Sequence, residues 1–393
     1  MTEALRRPTG CPPLAEVVAE RRRAVGTKKD FRTVIVISDI TRPCPNHEIL
    51  LPLLAELRAA GVADSSVTIL IATGLHRAAL SSEIVELVGP DVAARVEVVS
   101  HESWKTETLR PVGKTIFDTT VLMNRRWVDA DLRLLTGLVE PHMMAGWSGG
   151  RKGLCPGVAG EETVKRFHAT DMMGHPNALP GIIDGNPVNE LSHAVAALCP
   201  PHFLVNVTLN RQVRLTGVFA GDWRAAWQQA VLHAERGTRV AVPEPADIVI
   251  STSCGYPLDL TYYQSQKGLI AALPILKPGG TILYAMACAE GLGSPEFTAM
   301  CLRYPTLEAF MHDALTRGYV EKDQWALQYL HKVCSKHEVL FYSSFLDWDL
   351  QHKLFVTPVR SLEAGLAQAL AKHGPNARIT VMPKGAYVLP YLA

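Results

Sequence analysis

The chain lacks most of the features that would settle its class at once. Its eight cysteines form no CxxC pair and follow no regular spacing. That excludes a zinc ribbon and argues against a disulfide framework, leaving reduced thiols in the cytosol as the simple expectation. No stretch reaches the roughly 18 continuous apolar residues needed to span a bilayer. The N-terminal segment "MTEALRRPTGCPPLAEVV" has no apolar core of a signal peptide, so a cytoplasmic protein is expected. Charge of one sign is also missing. The formal net charge is +1, which gives no electrostatic case for nucleic acid or a membrane surface as partner. The basic run Arg21, Arg22, Arg23, Lys28, Lys29 is read as a solvated helix end. Internal repeats and low-complexity tracts are absent too.

What is present is an ordinary globular composition, 48% hydrophobic and 20% charged, over 393 residues, long enough for two domains. Short apolar runs alternate with helical periodicity. "TVIVISD" (33–39), "SVTILIATG" (66–74) and "ARVEVVSH" (94–101) read as buried strands. "NHEILLPLLAELRAAG" (46–61) and "LSSEIVELVG" (80–89) read as helices between them. A further strand is expected over 130–142, ending at His142, then a helix over 160–173 carrying His168, a helix over 187–198 and a strand over 202–210. The two prolines in "RVAVPEPADIVIST" mark a boundary near 241–246. Beyond it come a strand "DIVIST", a helix over 262–276, a strand over 278–288, helices near 306–317 and 322–334, and a strand over 338–344. The expectation is an α/β protein of two domains, residues 1–241 and 246–393. Each has a largely parallel sheet flanked by helices, with the active site in the interdomain cleft and the last ~20 residues packing back on the first domain.

Open α/β sheets bind ligands beyond the carboxyl ends of their strands, so the residues following each strand carry the chemistry. "SDITRPCP" (38–45) sets Asp39, Thr41 and Arg42 after the first strand. Arg42 offers a planar fork for a carboxylate or phosphate; alternatively Asp39 caps the next helix and Arg42 faces water. "ATGLHRA" (72–78) places His76 after the second, either as a working group or as a solvated side chain. "EPHMMAGWSGGRKGLCPG" (140–157) combines His142, Ser148, Gly149, Gly150 and Lys152. It is neither GxxxxGK[ST] nor GxGxxG, yet its glycine pair allows close backbone approach to an anion, and Lys152 could pair with a phosphate or act as a nucleophilic amine. The bland alternative is a glycine turn with a surface lysine. His168 lies sixteen residues past Lys152, too far for a HExxH-type metal site. His175, in "GHPNA", suits a local role in a turn. In "TYYQSQKG" (261–268), Tyr263 and Lys267 share a helix face beside Gln264, either as an anion lid or as an ordinary amphipathic surface.

Taken together, "SDITRPCP", "GLHR", "EPHMMAGWSGGRKGLCPG", His168 and "YYQSQKG" resemble the nickel-pincer lactate racemases and their 2-hydroxy-acid racemase and epimerase relatives, over about residues 35–270. The resemblance implies a pyridinium-3-thioamide-5-thiocarboxylic acid mononucleotide tethered to Lys152, carrying nickel whose protein ligand is His168. It also implies His76 and His142 as acid/bases on opposite sides of the substrate and Arg42 on the substrate carboxylate. Gln264, Lys267 and Trp325 would lie near the substrate, and Asp39, Thr41, Ser148, Gly149, Gly150 and Tyr263 near the cofactor. The implied reaction inverts C2 of a 2-hydroxy acid by proton-coupled hydride transfer through a 2-keto acid. Separate cofactor-maturation proteins are implied as partners. Trp147 and "HRAAL" depart from the usual family pattern and bear on substrate size, leaving lactate or a larger acid open. A cofactor carrier would need only Lys152 and His168, so the intact His76 and His142 pair speaks against one. A metal-dependent hydrolase lacks a carboxylate-rich ligand cluster.

Overall fold

The computed structural model describes residues 1–26, 30–256 and 258–393, so Lys28 and Lys29 of the basic run lie outside the described residues. Arg21–Arg23 occupy the last turns of helix Leu14–Val25, where cations complement the carbonyl end of a helix. All eight cysteines are free. Among the described residues no helix is long and apolar enough to cross a membrane.

The chain divides into two compact units. One gathers residues 1–140, 147–167 and 188–237. Its six-stranded sheet comprises β1 (Thr33–Ser38), β2 (Val67–Ala72), β3 (Glu97–Ser100), β4 (Leu132–Leu138), β5 (Phe203–Leu209) and β6 (Leu215–Gly221), in the spatial order β6-β5-β4-β1-β2-β3. All neighbours are parallel except β5 and β6. β1 is central and covered on both faces, which is why Val34 to Ile37 form an unbroken apolar run rather than an alternating one. Helix Asn46–Ala59 buries Ile49, Leu50, Leu53, Leu54 and Leu57, one stripe at helical spacing, against Ile35, Ile37, Ile69 and Ile71. Each such side chain contributes about 1.5–3 kcal/mol by leaving water.

The second unit gathers residues 141–146, 168–187 and 238–393. It contains β7 (Arg239–Val242), β8 (Ala246–Thr252), β9 (Leu276–Met286), β10 (Glu338–Ser343), β11 (Thr357–Pro358), β12 (Ile379–Met382) and β13 (Leu389–Leu392). Five form a fully parallel sheet in the order β11-β10-β9-β8-β12, around Ile248, Leu283 and Leu340. The tail strand β13 pairs in parallel with β7.

Two short segments, 141–146 and 168–187, thus sort with the residues beyond 238 instead of following the single boundary near 241–246. Helix Gln324–Cys334 is the reason. Tyr329 donates its hydroxyl to the carbonyls of Met143 (3.2 Å) and Ala178 (3.0 Å). Gln324 and Gln328 both donate to the Thr170 hydroxyl, at 3.2 and 2.7 Å. Lys332 reaches the His175 carbonyl at 3.0 Å.

Three local expectations are corrected. β4 ends at Leu138, and His142 sits in a separate two-residue strand with Pro141. His168 is not on a helix but in the turn between helices Glu161–Phe167 and Thr170–Gly174. The expected helix over 262–276 is a 3₁₀ turn Tyr262–Gln264, a short α-helix Gln266–Ala272 and a second 3₁₀ turn Leu273–Ile275.

Candidate active site

In the first unit, the turns that follow β1 and β2 are joined by a short hydrogen bond. His76 Nδ1 donates to Asp39 Oδ2 at 2.6 Å, and Thr41 Oγ1 donates to Asp39 Oδ1 at 2.7 Å. Burial alone would raise the Asp39 carboxyl. The hydrogen bond and charge of His76, the charge of Arg42 and the Thr41 hydroxyl more than offset it, so the group is held below the usual carboxylate range. Asp39 is therefore ionised at neutral pH. It fixes the proton of the half-exposed His76 ring on Nδ1 and leaves Nε2 free to accept one. Arg42 lies alongside, its guanidinium donating to the Thr41 hydroxyl at 3.1 Å and carbonyl at 3.2 Å.

The stretch 147–157 is held from below. Ser148 spends its hydroxyl on the Leu138 carbonyl (2.8 Å) and accepts the Glu140 N–H (2.9 Å). The Gly150 N–H goes to Asn206 Oδ1 at 3.0 Å, and Trp227 Nε1 donates to the Ser148 carbonyl at 2.9 Å. Gly149 and Gly150 have φ of +69° and +51°. A Cβ on Gly149 would come within 2.6 Å of Val139, and one on Gly150 within 2.7 Å of Trp227. The glycine pair is demanded by this packing, in which the Ser148 hydroxyl and the Gly150 N–H are both engaged. Its product is Lys152, in the 3₁₀ turn Gly150–Gly153. Lys152 as a residue is half-buried, but its ammonium has dense surroundings and lies 4.8 Å from the centre of the Phe167 ring. Desolvation, reinforced by the charges of Arg42 and Arg151, lowers its pKa well below the ordinary lysine value. Arg151 is fully buried against the Trp227 ring at 4.0 Å, and desolvation pulls it down to about 9. The turn after β2 is tied to this loop through the Gly74 N–H, which donates to the Gly157 carbonyl at 3.0 Å.

The second unit carries the remaining groups. His168 is buried and stacks on Trp325, with ring centroids 4.0 Å apart and planes 27° apart. Trp325 Nε1 in turn donates to the Tyr263 hydroxyl at 2.7 Å, and Tyr263 meets Phe297 edge-on at 5.3 Å. The imidazole orientation is thereby set by an aromatic chain. His142 Nδ1 accepts the N–H groups of Met144 (3.4 Å) and Ala145 (3.3 Å), so the proton of the neutral ring lies on Nε2. His76 and His142 are thus held in opposite tautomers. Gln264 and Lys267 are half-buried around the start of helix Gln266–Ala272, and the Gln264 carbonyl accepts from Ser253 at 3.1 Å. His175 Nδ1 accepts the Asn177 N–H at 3.1 Å, a local turn role.

Residues 1–181 match the lactate racemase N-terminal domain and residues 241–389 the lactate racemase C-terminal domain. The chain belongs to the lactate racemase family. Lactate racemases from Lactiplantibacillus plantarum and Thermoanaerobacterium thermosaccharolyticum are each 32% identical to it over 358 residues, 91% of this chain and 84% of each relative. The structure of the lactate racemase apoprotein from T. thermosaccharolyticum superposes with a TM-score of 0.92 at 30% identity, covering 99% of this chain and 91% of that one. A Thermotoga maritima protein shares the fold at a TM-score of 0.71 and 18% identity, covering 98% and 99% of the two chains. This family member is an isomerase with a two-domain α/β fold. Sequence reasoning missed Asn206 and Trp227, which hold the 148–150 turn, and Thr170, Gln324, Gln328 and Tyr329, which hold the segments around His142 and His168. Buried Arg151 stood in the quoted loop, but nothing in the sequence distinguished it from a surface arginine.

Proposed function

We propose that this isomerase racemises lactate or a related 2-hydroxy acid with the help of a nickel-pincer nucleotide fastened to Lys152. The observation that carries the reading is the Asp39–His76 pair beside Arg42 at the carboxyl ends of β1 and β2. It sets a base oriented by a carboxylate next to a fork for the substrate carboxylate.

The residues suit the cofactor. An amine whose ammonium form is disfavoured by burial and by two arginines is a competent nucleophile for forming an amide-type link. His168 supplies one imidazole, fixed by Trp325. Among the described residues no group of three or more histidine, cysteine or acidic side chains is assembled for a metal ion. A nickel ion bound through His168 would take its further donors from the sulfur-bearing nucleotide, soft ligands that suit it. When bound, the group supplies a hydride acceptor and donor at C2. The chain's own part is then binding and proton movement. Arg42 holds the acid by its carboxylate. Nε2 of His76 takes the hydroxyl proton of one enantiomer as C2 becomes a ketone, and His142 serves the other enantiomer through Nδ1, its lone-pair nitrogen, which gives up the long N–H contacts of Met144 and Ala145 to accept the proton. Arg42 retains the 2-keto acid between the two half-reactions. Ser148, Gly149 and Gly150 act by shaping the turn that presents Lys152.

The test is intact mass and nickel content of the chain co-expressed with cofactor-maturation proteins, beside Lys152→Ala. A nucleotide-sized mass increment with nickel, absent from Lys152→Ala, is expected, followed by interconversion of single enantiomers on chiral analysis. An unmodified, nickel-free chain made with maturation proteins that load a known lactate racemase would refute the cofactor assignment.

A further inference from the structure

The first sheet has a second concave region at its other end. A cavity of about 730 Å³ opens around the amino ends of β1 and β2, lined by Arg22, Arg32, Thr33, Thr68, Arg125 and Arg126 among others. Asp39 and His76 follow the carboxyl ends of those strands. β1 is six residues long, which separates the two ends by about 20 Å at ~3.3 Å per residue.

The charges in this cavity are unbalanced. Four arginines face two acids, Asp30 and Asp129. Asp129 is already committed to Arg110 (2.8 Å), and Arg126 to Glu97 (2.8 and 3.0 Å). Arg22 donates to the Gly61 carbonyl at 2.6 Å and lies over Phe31. Arg32 and Arg125 are exposed, and neither side chain forms an ion pair among the described residues. The second observation is a buried hydroxyl. Thr33 is 1% exposed and lines the cavity, yet its Oγ1 has no hydrogen-bond partner among the described residues. A buried hydroxyl left unpaired is costly, and few persist without a reason. The volume falls within the range of small-ligand sites, and guanidinium forks with a hydroxyl donor match the oxygens of a phosphate group.

We propose that the amino end of this sheet binds a small phosphate-bearing anion, held by Arg32 and Arg125 and hydrogen-bonded by Thr33. The site is remote from the catalytic end and independent of the cofactor.

The experiment uses pyrophosphate as the probe on the full chain, followed by calorimetry and thermal melting at low salt. Wild type is expected to bind, with affinity falling as salt is raised. Arg32→Gln/Arg125→Gln should weaken binding at least about tenfold, because it removes the two uncommitted forks. Thr33→Val should reduce the pyrophosphate-induced melting shift while leaving the free chain as stable or more so, because it removes the unpaired hydroxyl. Arg42→Ala should bind as wild type does. Undiminished binding by the Arg32/Arg125 variant, or binding lost in Arg42→Ala, would place the anion at the catalytic end and overturn the proposal. So would the absence of any binding at millimolar pyrophosphate, or citrate binding as well as pyrophosphate.

Discussion

Replacing Asp39 by asparagine isolates what the carboxylate does for His76. The side chain keeps its size, and the Thr41 contact at Oδ1 can persist. What disappears is the charge on the partner of the 2.6 Å bond from His76 Nδ1. If asparagine still accepts from Nδ1–H through its amide oxygen, the loss is that of a charge-assisted hydrogen bond, about 1.5–3 kcal/mol. If its amide nitrogen turns toward the ring, the imidazole proton moves to Nε2 and the base is lost, a cost of up to about 10⁴-fold. The expected fall in kcat of the nickel-loaded enzyme therefore lies between about 10- and 10⁴-fold. KM should change little on the proposed reading, which gives the substrate carboxylate to Arg42.

Racemisation alone cannot say which histidine was damaged, since steady turnover needs both half-reactions. Single-turnover formation of 2-keto acid from each pure enantiomer separates them. One enantiomer should react slowly in Asp39→Asn and the other at the wild-type rate. Nickel content equal to wild type and an unchanged melting temperature would show that cofactor loading and folding survive. Equal slowing of both enantiomers, or turnover within twofold of wild type, would refute the assignment of Asp39 to His76.

The other predictions concern the groups around that pair. Lys152 has its folded-state pKa lowered from 10.5, so the unfolded chain holds the extra proton between the two values, and the stability of the cofactor-free protein rises with pH across that window. Cofactor-free Lys152→Met should therefore melt higher than wild type at pH 7, with the gap closing toward pH 10.5. His101 is fully buried, bonded to the Ala159 carbonyl (2.8 Å) and Asn124 (3.1 Å), and burial lowers it from 6.5 to about 4. Its neutral form is favoured by folding, so stability on the order of 3 kcal/mol should be lost as pH falls from 6.5 to 4, and His101→Gln should flatten that part of the acid-unfolding curve. Trp325→Ala removes both the plate under His168 and a large buried side chain, so a loss of about 3–5 kcal/mol in urea unfolding is expected, together with reduced nickel retention. Trp325→Phe should keep most of the stability, because it loses mainly the bond to Tyr263.

Much of the fold was legible because buried parallel strands and amphipathic helices leave periodic apolar signatures. β1, β2, β5 and helix Asn46–Ala59 fall within a residue or two of their expected ends. The residues after β1 and β2 were legible as well, since ligands gather at the carboxyl ends of such strands and "SDITRP" and "GLHR" stand there. The failures have one physical origin: contacts between residues far apart in the chain. His168 was assigned to a helix because "GEETVKRFHATDMM" is helical by periodicity. Its actual place, in a turn, depends on Trp325 and on Thr170 being held by Gln324 and Gln328, more than 150 residues away. Glycine pairs often lie against an anion, and the sequence suggests that use for the Ser-Gly-Gly turn. Only the positions of Val139, Asn206 and Trp227 reveal that the missing Cβ atoms also make room for protein. Asp39 shows the same limit. Its strand end is visible in the sequence, but its partner His76 lies in the turn after a neighbouring strand, and that pairing is visible only in the fold. Periodicity records how each segment meets the core. The roles of polar groups are set by pairings across segments, and those leave no periodic trace.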